Sequence, residues 1–166
     1  MTVDQVTLNR LQSTVWAGIE DSFKLPRGIL NAIATWETRG SFDNNAFNRG
    51  SGARGIFQLT PIALKQVNID YGYNADPNNV YQASVAAAML LSRYKRLFNN
   101  VLPFMVGAYN AGEGTVQRLL ERHRARSFDR IAMHLPAETQ MYVPKVEATL
   151  LRREGVQLAK LPSWRG

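Results

Sequence analysis

The stretch from Pro26 to Gly40 reads Pro-Arg-Gly-Ile-Leu-Asn-Ala-Ile-Ala-Thr-Trp-Glu-Thr-Arg-Gly. Apolar side chains recur in it at the spacing of a helix with one buried face, at Ile29, Ile33 and Ala34. Proline suits the first turn of a helix and glycine suits its end. The stretch therefore predicts a helix that opens at Pro26 and stops at Gly40.

The same helical signals recur on both sides of this stretch, whereas few segments alternate as strands do. A first helix is predicted from four apolar positions, Leu8, Leu11, Val15 and Ile19. Later helices are predicted to begin at Thr60-Pro61, Asp76-Pro77, Pro103 and Leu135-Pro136, with an amphipathic helix over 115–124. The fold is therefore predicted to be mainly α, with at most a small irregular β element around residues 40–58.

Length and composition predict one globular domain over residues 1–166. The chain is 45% hydrophobic, which suffices for a domain that buries roughly two thirds of its surface. There is no cysteine, so disulfides and cysteine metal sites are excluded. The two histidines, His123 and His134, lack the spacing of a metal motif. We therefore predict no metal and no cofactor.

The charge is strongly positive. Twenty Lys and Arg residues face 13 Asp and Glu residues, a formal net charge of +7. Such a chain is attracted to polyanions, whether nucleic acid, anionic lipid or an acidic cell-wall polymer. The excess is greatest at Arg118, Arg122, Arg124, Arg126 and Arg130. Runs of this kind also lie on the solvated faces of ordinary helices, so the charge alone identifies no ligand.

No membrane span or export signal is predicted. The most apolar window, 80–91, is too short to cross a bilayer. The N-terminal sequence Met-Thr-Val-Asp-Gln-Val lacks the basic start and apolar stretch of a signal peptide. Either the signal has been removed, or the protein reaches its site of action by another route.

Glu37 is the candidate catalytic residue. It shares a helix face with Leu30, Ile33 and Ala34. A carboxyl on an apolar face is desolvated, which raises its pKa toward the value that a general acid needs near neutral pH. The alternative is an ion pair with Arg39 at the helix end, which would lower the pKa.

Four segments in order place Glu37 in a wider pattern. They are Glu37-Thr38, Ser51-Gly-Ala-Arg-Gly-Ile-Phe-Gln-Leu-Thr-Pro61, Gly107-Ala-Tyr-Asn-Ala-Gly-Glu-Gly114 and Leu135-Pro-Ala-Glu-Thr-Gln-Met-Tyr-Val-Pro-Lys145. The set resembles the soluble lytic transglycosylase family, whose goose-lysozyme-like domain cleaves peptidoglycan. The resemblance covers about residues 26–145. Thr38 stands where the family usually has serine, and Ile56-Phe57 replaces Leu-Met.

The resemblance implies a lysozyme-like α-helical domain with a glycan cleft. It implies that Glu37 acts first as acid and then as base on the bond between N-acetylmuramic acid and N-acetylglucosamine, leaving a 1,6-anhydro end. It also implies that the Tyr142 hydroxyl reaches the catalytic carboxyl. The expected substrate contacts are Thr38, Ser51, Gln58, Tyr109, Asn110, Glu138 and Tyr142.

Several of these residues also have a plainer explanation. Glycines 50, 52 and 55 could let backbone approach a sugar ring, but they also suit turns. Gln58 can donate and accept hydrogen bonds with an N-acetyl group. Glu138 could be a charge in the first turn of a helix, and Tyr142 could simply pack.

Two other functions stay open. One is a hydrolytic muramidase in which Asp43 or another acid activates water. The other is a non-catalytic basic module of structural or nucleic-acid-binding type. The expected partner is the peptidoglycan glycan strand rather than nucleic acid, and the expected place of action is the periplasm or cell wall. A domain without an export signal resembles phage virion-associated murein-degrading proteins, but a domain cut from an exported enzyme would look the same. Virion or envelope machinery proteins are therefore possible further partners.

Overall fold

A computed structural model describes residues 2–154, with side chains up to residue 152. Over this range the chain is mainly helical, as predicted. The α-helices are α1 (Gln5–Arg10), α2 (Trp16–Phe23), α3 (Ile29–Thr38), α4 (Pro61–Tyr71), α5 (Val80–Leu97), α6 (Leu102–Ala111), α7 (Glu113–Arg122), α8 (Phe128–Ile131) and α9 (Ala137–Glu154). A π-helical turn, Leu11–Val15, joins α1 to α2, and a 3-10 turn, Ala132–His134, follows α8.

Strand structure is limited to isolated bridges in the described part of the chain. Phe47 pairs with Arg54, Arg54 pairs with Leu59, and Thr2 pairs with Asp43. The first two bridges fold the loop between α3 and α4 back on itself. The prediction of a small irregular β element around residues 40–58 is therefore confirmed.

The chain divides into two compact units between Leu90 and Leu91, within α5. The core of the first unit is built around Trp16, whose ring meets Phe57 edge-on with the centroids 5.8 Å apart. The Nε1–H of Trp16 donates a hydrogen bond of 2.8 Å to the hydroxyl of Ser84. The extent of a single domain over residues 1–166 stays a prediction.

The first helix has a different buried face from the one predicted. Leu8 and Leu11 are buried as expected, but the next buried positions are Trp16 and Glu20 instead of Val15 and Ile19. The π-helical turn supplies the physical reason, because it accommodates one residue more than an α-helical turn does. The apolar face beyond Leu11 therefore moves by one position.

The second predicted helix begins later than expected. Pro26 lies in the preceding turn, and α3 starts at Ile29 after Gly28, whose φ is 93°. The carboxylate of Glu20 accepts the N–H of Gly28 through Oε1 and the N–H of Leu30 through Oε2, both at 2.9 Å. Helix α3 is thus capped by a side chain from α2. It ends at Thr38, and the left-handed residues Arg39 and Gly40 follow.

Two helix starts in the first unit differ in how well they were predicted. The Thr60 hydroxyl accepts the N–H of Ala63 at 3.1 Å, so Thr60 caps α4 as expected. The cap of α5 is not Asp76. Asn79 accepts the N–H groups of Tyr81 and Gln82 through Oδ1, each at 3.0 Å.

The second unit is built around α6, whose residues Leu102–Ala108 are all buried. Helix α6 packs on α7 and α9. Phe104 joins Phe98 and Phe128 in a chain of ring contacts about 6 Å apart. At the start of α7, the Glu113 carboxylate receives two hydrogen bonds from the Arg93 guanidinium, at 2.8 and 2.9 Å. The predicted starts near Pro103 and Pro136 agree with α6 and α9 to within one residue.

Candidate active site

Glu37 lies in the last turn of α3 and is half-buried. The residues that share its helix face, Leu30, Ile33 and Ala34, are fully buried. The carboxyl therefore lies at the border between the apolar core of the first unit and its surface. Such a position gives a carboxyl both an apolar environment and access for a ligand.

Thr38 is buried, and both of its hydrogen bonds lie within the protein. Its hydroxyl donates to the carbonyl of Ala34 at 2.8 Å and accepts the N–H of Phe42 at 3.0 Å. Phe42 has a left-handed backbone, with φ 49°, and its ring lies 6.5 Å from that of Trp16. Thr38 thus fixes the turn that follows Glu37. Since its one proton is used, the hydroxyl can offer a ligand only its acceptor capacity.

The side chain of Gln58 is hydrogen-bonded within the loop that follows α3. Its Nε2 donates to the carbonyls of Ala46, at 3.3 Å, and Gly55, at 3.0 Å. Both amide protons are used in this way, so the side chain can bind a ligand through Oε1 as an acceptor. The contact of Gln58 with an N-acetyl group stays a prediction, with Oε1 as the atom that is still available. The backbone of Gln58 is also left-handed, with φ 47°.

Ser51 lies on the exposed part of the same loop. Its hydroxyl accepts the N–H of Ala53 at 3.2 Å. Its own N–H donates to the Asn48 side chain at 3.3 Å. Ser51 is accessible to a ligand, but these bonds also suit a turn residue.

The structure explains why residue 55 is a glycine, which the sequence did not reveal. Its φ is 79°, and a Cβ built on it would lie 1.9 Å from the carbonyl oxygen of Pro77. Glycine is therefore required at this position because the protein's own backbone passes close to it. A sugar ring is not needed to explain it. Asn78 ties the same region together, because its Nδ2 donates to the carbonyl of Asn44 at 2.9 Å.

In the second unit the structure brings Asn110 to the start of α9. The Thr139 hydroxyl donates to Oδ1 of Asn110 at 2.7 Å, and Thr139 is only 1% exposed. Tyr109, beside Asn110 on α6, is half-buried. On α9, Glu138 is exposed and Tyr142 is 7% exposed. The side chain of Asn110 is thus held in place by a buried hydroxyl.

The eight predicted site residues divide equally between the units. Those of the first unit are Glu37, Thr38, Ser51 and Gln58, and those of the second are Tyr109, Asn110, Glu138 and Tyr142. Sequence analysis missed Glu20 and Thr139. Thr139 could have been found from the sequence, since it lies in the Glu138–Tyr142 motif. Glu20 carried none, because the π-helical turn alone brings it to the buried face.

No helix within residues 2–154 is long and apolar enough to cross a membrane. A model of the Transglycosylase SLT domain family matches residues 14–132. This range includes Glu37, Gln58 and Asn110 but not Glu138 or Tyr142.

The chain is similar to the membrane-bound lytic murein transglycosylase D of Escherichia coli K12, with 34% identity over 111 residues. The match covers 65% of this chain and 24% of that protein. The chain therefore spans about a quarter of the length of the curated relatives it matches.

Solved structures show the same fold. An inactive glutamate-to-glutamine mutant of lytic transglycosylase Slt from Pseudomonas aeruginosa superimposes with a TM-score of 0.74 at 23% identity, covering 91% of this chain and 25% of that one. The 70-kDa soluble lytic transglycosylase of Escherichia coli gives a TM-score of 0.72 at 20% identity, covering 96% and 29%. The predicted lysozyme-like α-helical fold is thereby confirmed. Since the family model matches well over half of the residues, the chain belongs to the Transglycosylase SLT domain family.

Proposed function

We propose that this domain is a peptidoglycan lytic transglycosylase. It cleaves the β-1,4 bond between N-acetylmuramic acid and N-acetylglucosamine. The observation that carries the proposal is Glu37, a half-buried carboxyl at the end of α3 in a member of this family. The relatives named above are lytic transglycosylases, and one of them was crystallised as an inactive glutamate-to-glutamine mutant.

In the proposed mechanism Glu37 acts twice. Its protonated carboxyl first gives a proton to the glycosidic oxygen, and the bond from that oxygen to C1 of the muramoyl sugar breaks. The resulting carboxylate then takes the proton of the C6 hydroxyl on the same sugar as O6 bonds to C1. The product is a 1,6-anhydro ring, and Glu37 ends protonated as it began. No water is consumed.

The scaffold around Glu37 suits this role, because a catalytic group must be held by a rigid element. Glu20 caps the start of α3, and Thr38 fixes the turn at its end. Between these two anchors the helix packs its apolar face into the core. We therefore assign Glu20 and Thr38 as positioning residues.

The glycan contacts are assigned by the chemistry that each side chain still offers. Oε1 of Gln58 can accept the N–H of an N-acetyl group, since the amide protons are used within the loop. Ser51 offers an exposed hydroxyl. In the second unit we assign Tyr109, Asn110, Glu138 and Tyr142 to the glycan. Thr139 supports this group by holding Asn110.

The place of action follows from the substrate. We propose that the domain acts on the cell wall, as the name of the Escherichia coli relative indicates for that protein. A cationic chain is also attracted to an anionic wall. Association with a virion or with envelope machinery stays a prediction.

Mass spectrometry of the muropeptides released from purified peptidoglycan tests the proposal. We expect products with 1,6-anhydromuramoyl ends, lighter by one water than hydrolytic products. Reducing ends would instead show that water attacks. The base would then be sought first at Asp43, a half-buried carboxylate six residues after Glu37 that accepts the N–H of Asn45 at 2.9 Å. No release from walls of several chemotypes would favour a binding module.

A further inference from the structure

A small pocket in the second unit lies outside the proposed active site. It has a volume of about 290 Å³. It is lined by residues of α7 and of the segment before α9, namely Thr115, Arg118, Leu119, Arg122, His134, Leu135 and Pro136. None of the eight candidate site residues contributes to it. Its lining contains two arginines and a histidine but no carboxylate.

Arg118 is held in position at this pocket. Its Nη2 donates to the Thr115 hydroxyl at 3.3 Å. Its guanidinium also lies close to Gly114, since a Cβ built on that glycine would be 3.0 Å from Nη1. Arg122 follows one helical turn later on the same face. Like charges at this spacing repel each other, and an anion between them would relieve the repulsion.

A stacked pair of histidine rings lies at the other wall of the pocket. His134 lines the pocket, and the ring of His123 stacks on it with a centroid distance of 3.9 Å and an interplanar angle of 12°. Burial, followed by the charges of His134 and Arg122, lowers the pKa of His123. The neutral form of the His123 ring is therefore favoured where it packs on His134.

We propose that this pocket binds an oxyanion, either a carboxylate or a phosphate, that is carried by the cell-wall polymer. The anion is held by the guanidinium groups of Arg118 and Arg122, which present paired N–H donors that match an oxyanion. His134 donates from the opposite wall. Leu119 and Leu135 pack beside the apolar part of the ligand. The source of the anion rests on the proposed function, whereas the pocket chemistry does not.

Nuclear magnetic resonance of the histidine rings tests the pocket on the full chain. The sequence has two histidines, so a His123→Gln variant assigns both signals. We expect titration with inorganic phosphate to shift both rings, with His134 shifted more. Loss of a charged hydrogen-bonding partner in Arg122→Gln should weaken phosphate binding about tenfold.

Arg126→Gln is the matched control. It removes the same charge from an exposed position that does not line the pocket. We expect phosphate to bind this variant within about twofold of the parent protein, because only distant charge is lost. Equal losses in the two variants, or no histidine shift with phosphate, would overturn the proposal in favour of diffuse surface charge.

The source of the anion is tested with the Glu37→Gln variant, so that binding is measured without cleavage. Tighter binding of strands with peptide stems than of stripped strands, lost on addition of Arg122→Gln, identifies a stem carboxylate. Tighter binding of strands that carry an attached phosphate polymer than of strands without it, again lost on addition of Arg122→Gln, identifies a phosphate. If duplex DNA competes better than either, the cell-wall source is wrong. Phosphate binding in a protein that cleaves no peptidoglycan would contradict the proposed function and leave the pocket intact.

Discussion

Oε2 of Glu20 accepts a hydrogen bond of 2.9 Å from the backbone N–H of Leu30. The bond joins the end of α2 to the first turn of α3. Because Gly28 precedes α3 and has no side chain, the helix has no cap of its own. A carboxylate is well suited to replace one, since it accepts two N–H groups at once and complements the positive end of the helix dipole. The position of Glu37 at the end of α3 therefore depends on Glu20, a residue of α2.

Replacing Glu20 with alanine should lower the free energy of unfolding by about 3 kcal/mol. The change leaves the N–H groups of Gly28 and Leu30 without their acceptor, in a place where Glu20 itself is only 1% exposed. Urea denaturation measures the effect. The neighbouring Asp21→Ala is the control: Asp21 pairs with Arg27 on an exposed surface, so its loss should cost less than about 1 kcal/mol. Equal losses would contradict the capping role.

Gly55→Ala should destabilise the first unit far more than Gly72→Ala. Both glycines have positive φ, so each alanine carries a backbone cost of about 1 kcal/mol. At Gly55 the new methyl also collides with the carbonyl of Pro77, whereas at Gly72 nothing lies within 4 Å. We expect a total of about 3 kcal/mol or more at Gly55, measured by urea denaturation. Similar losses at the two sites would show that the loop moves away from Pro77 without resistance.

Thr38→Val should cost about 2 kcal/mol, whereas Thr38→Ser should be nearly neutral. Valine keeps the shape of threonine but leaves the N–H of Phe42 without its acceptor. Serine keeps the hydroxyl. We also expect the kcat for peptidoglycan to fall in the valine variant and to be kept in the serine variant, as a positioning residue requires. An unchanged stability together with a raised KM would identify Thr38 as a substrate contact instead.

Glu37→Gln should abolish peptidoglycan cleavage and leave the fold intact. The amide keeps the shape of the carboxyl but cannot give up a proton to the glycosidic oxygen. The release of muropeptides measures cleavage, and urea denaturation checks the fold. Glu121→Gln removes the same charge from an exposed position on α7 and should retain full activity. Substantial cleavage by a folded Glu37→Gln protein would reject the proposed catalytic residue.

Tyr142→Phe should lower kcat by about tenfold or more while changing KM by less than about twofold. We expect its hydroxyl to stabilise the charge that develops on the glycan in the transition state, so the loss should appear in the chemical step rather than in glycan binding. Initial rates on soluble glycan strands separate the two constants. If kcat is unchanged in a stable variant, the ring of Tyr142 serves only to pack α9.

The sequence predicted the helices whose start signals are local. Thr60-Pro61 combines a capping hydroxyl with a proline, and the cap forms as expected. Asp76-Pro77 shows the same pattern, yet Asn79 caps α5 instead. The chain from Asp76 to Asn79 is held by contacts with distant residues, including the packing of Pro77 against Gly55. Those contacts could not be predicted from neighbouring residues.

Some residues of the candidate site could likewise be predicted from the sequence, and others could not. Glu37 could be identified because its helix face and the following loop motif lie close together in the sequence. The use of the Gln58 amide within its own loop could not be identified, because it depends on the path of the backbone past Ala46. Likewise the burial of Glu20 depends on one π-helical turn that composition and periodicity do not reveal. Side chains whose roles rest on long-range geometry were thus missed.

The left-handed backbone of Gln58 has a consequence for efforts to stabilise this protein. A non-glycine residue at φ 47° is strained, so Gln58→Gly would relax the turn. It would also remove the amide that binds the carbonyls of Ala46 and Gly55. The relief of strain and the loss of these two hydrogen bonds therefore oppose each other in stability, whereas the proposed glycan contact through Oε1 is lost outright. Libraries screened only for melting temperature should tolerate changes at Gln58 that libraries screened for cleavage reject.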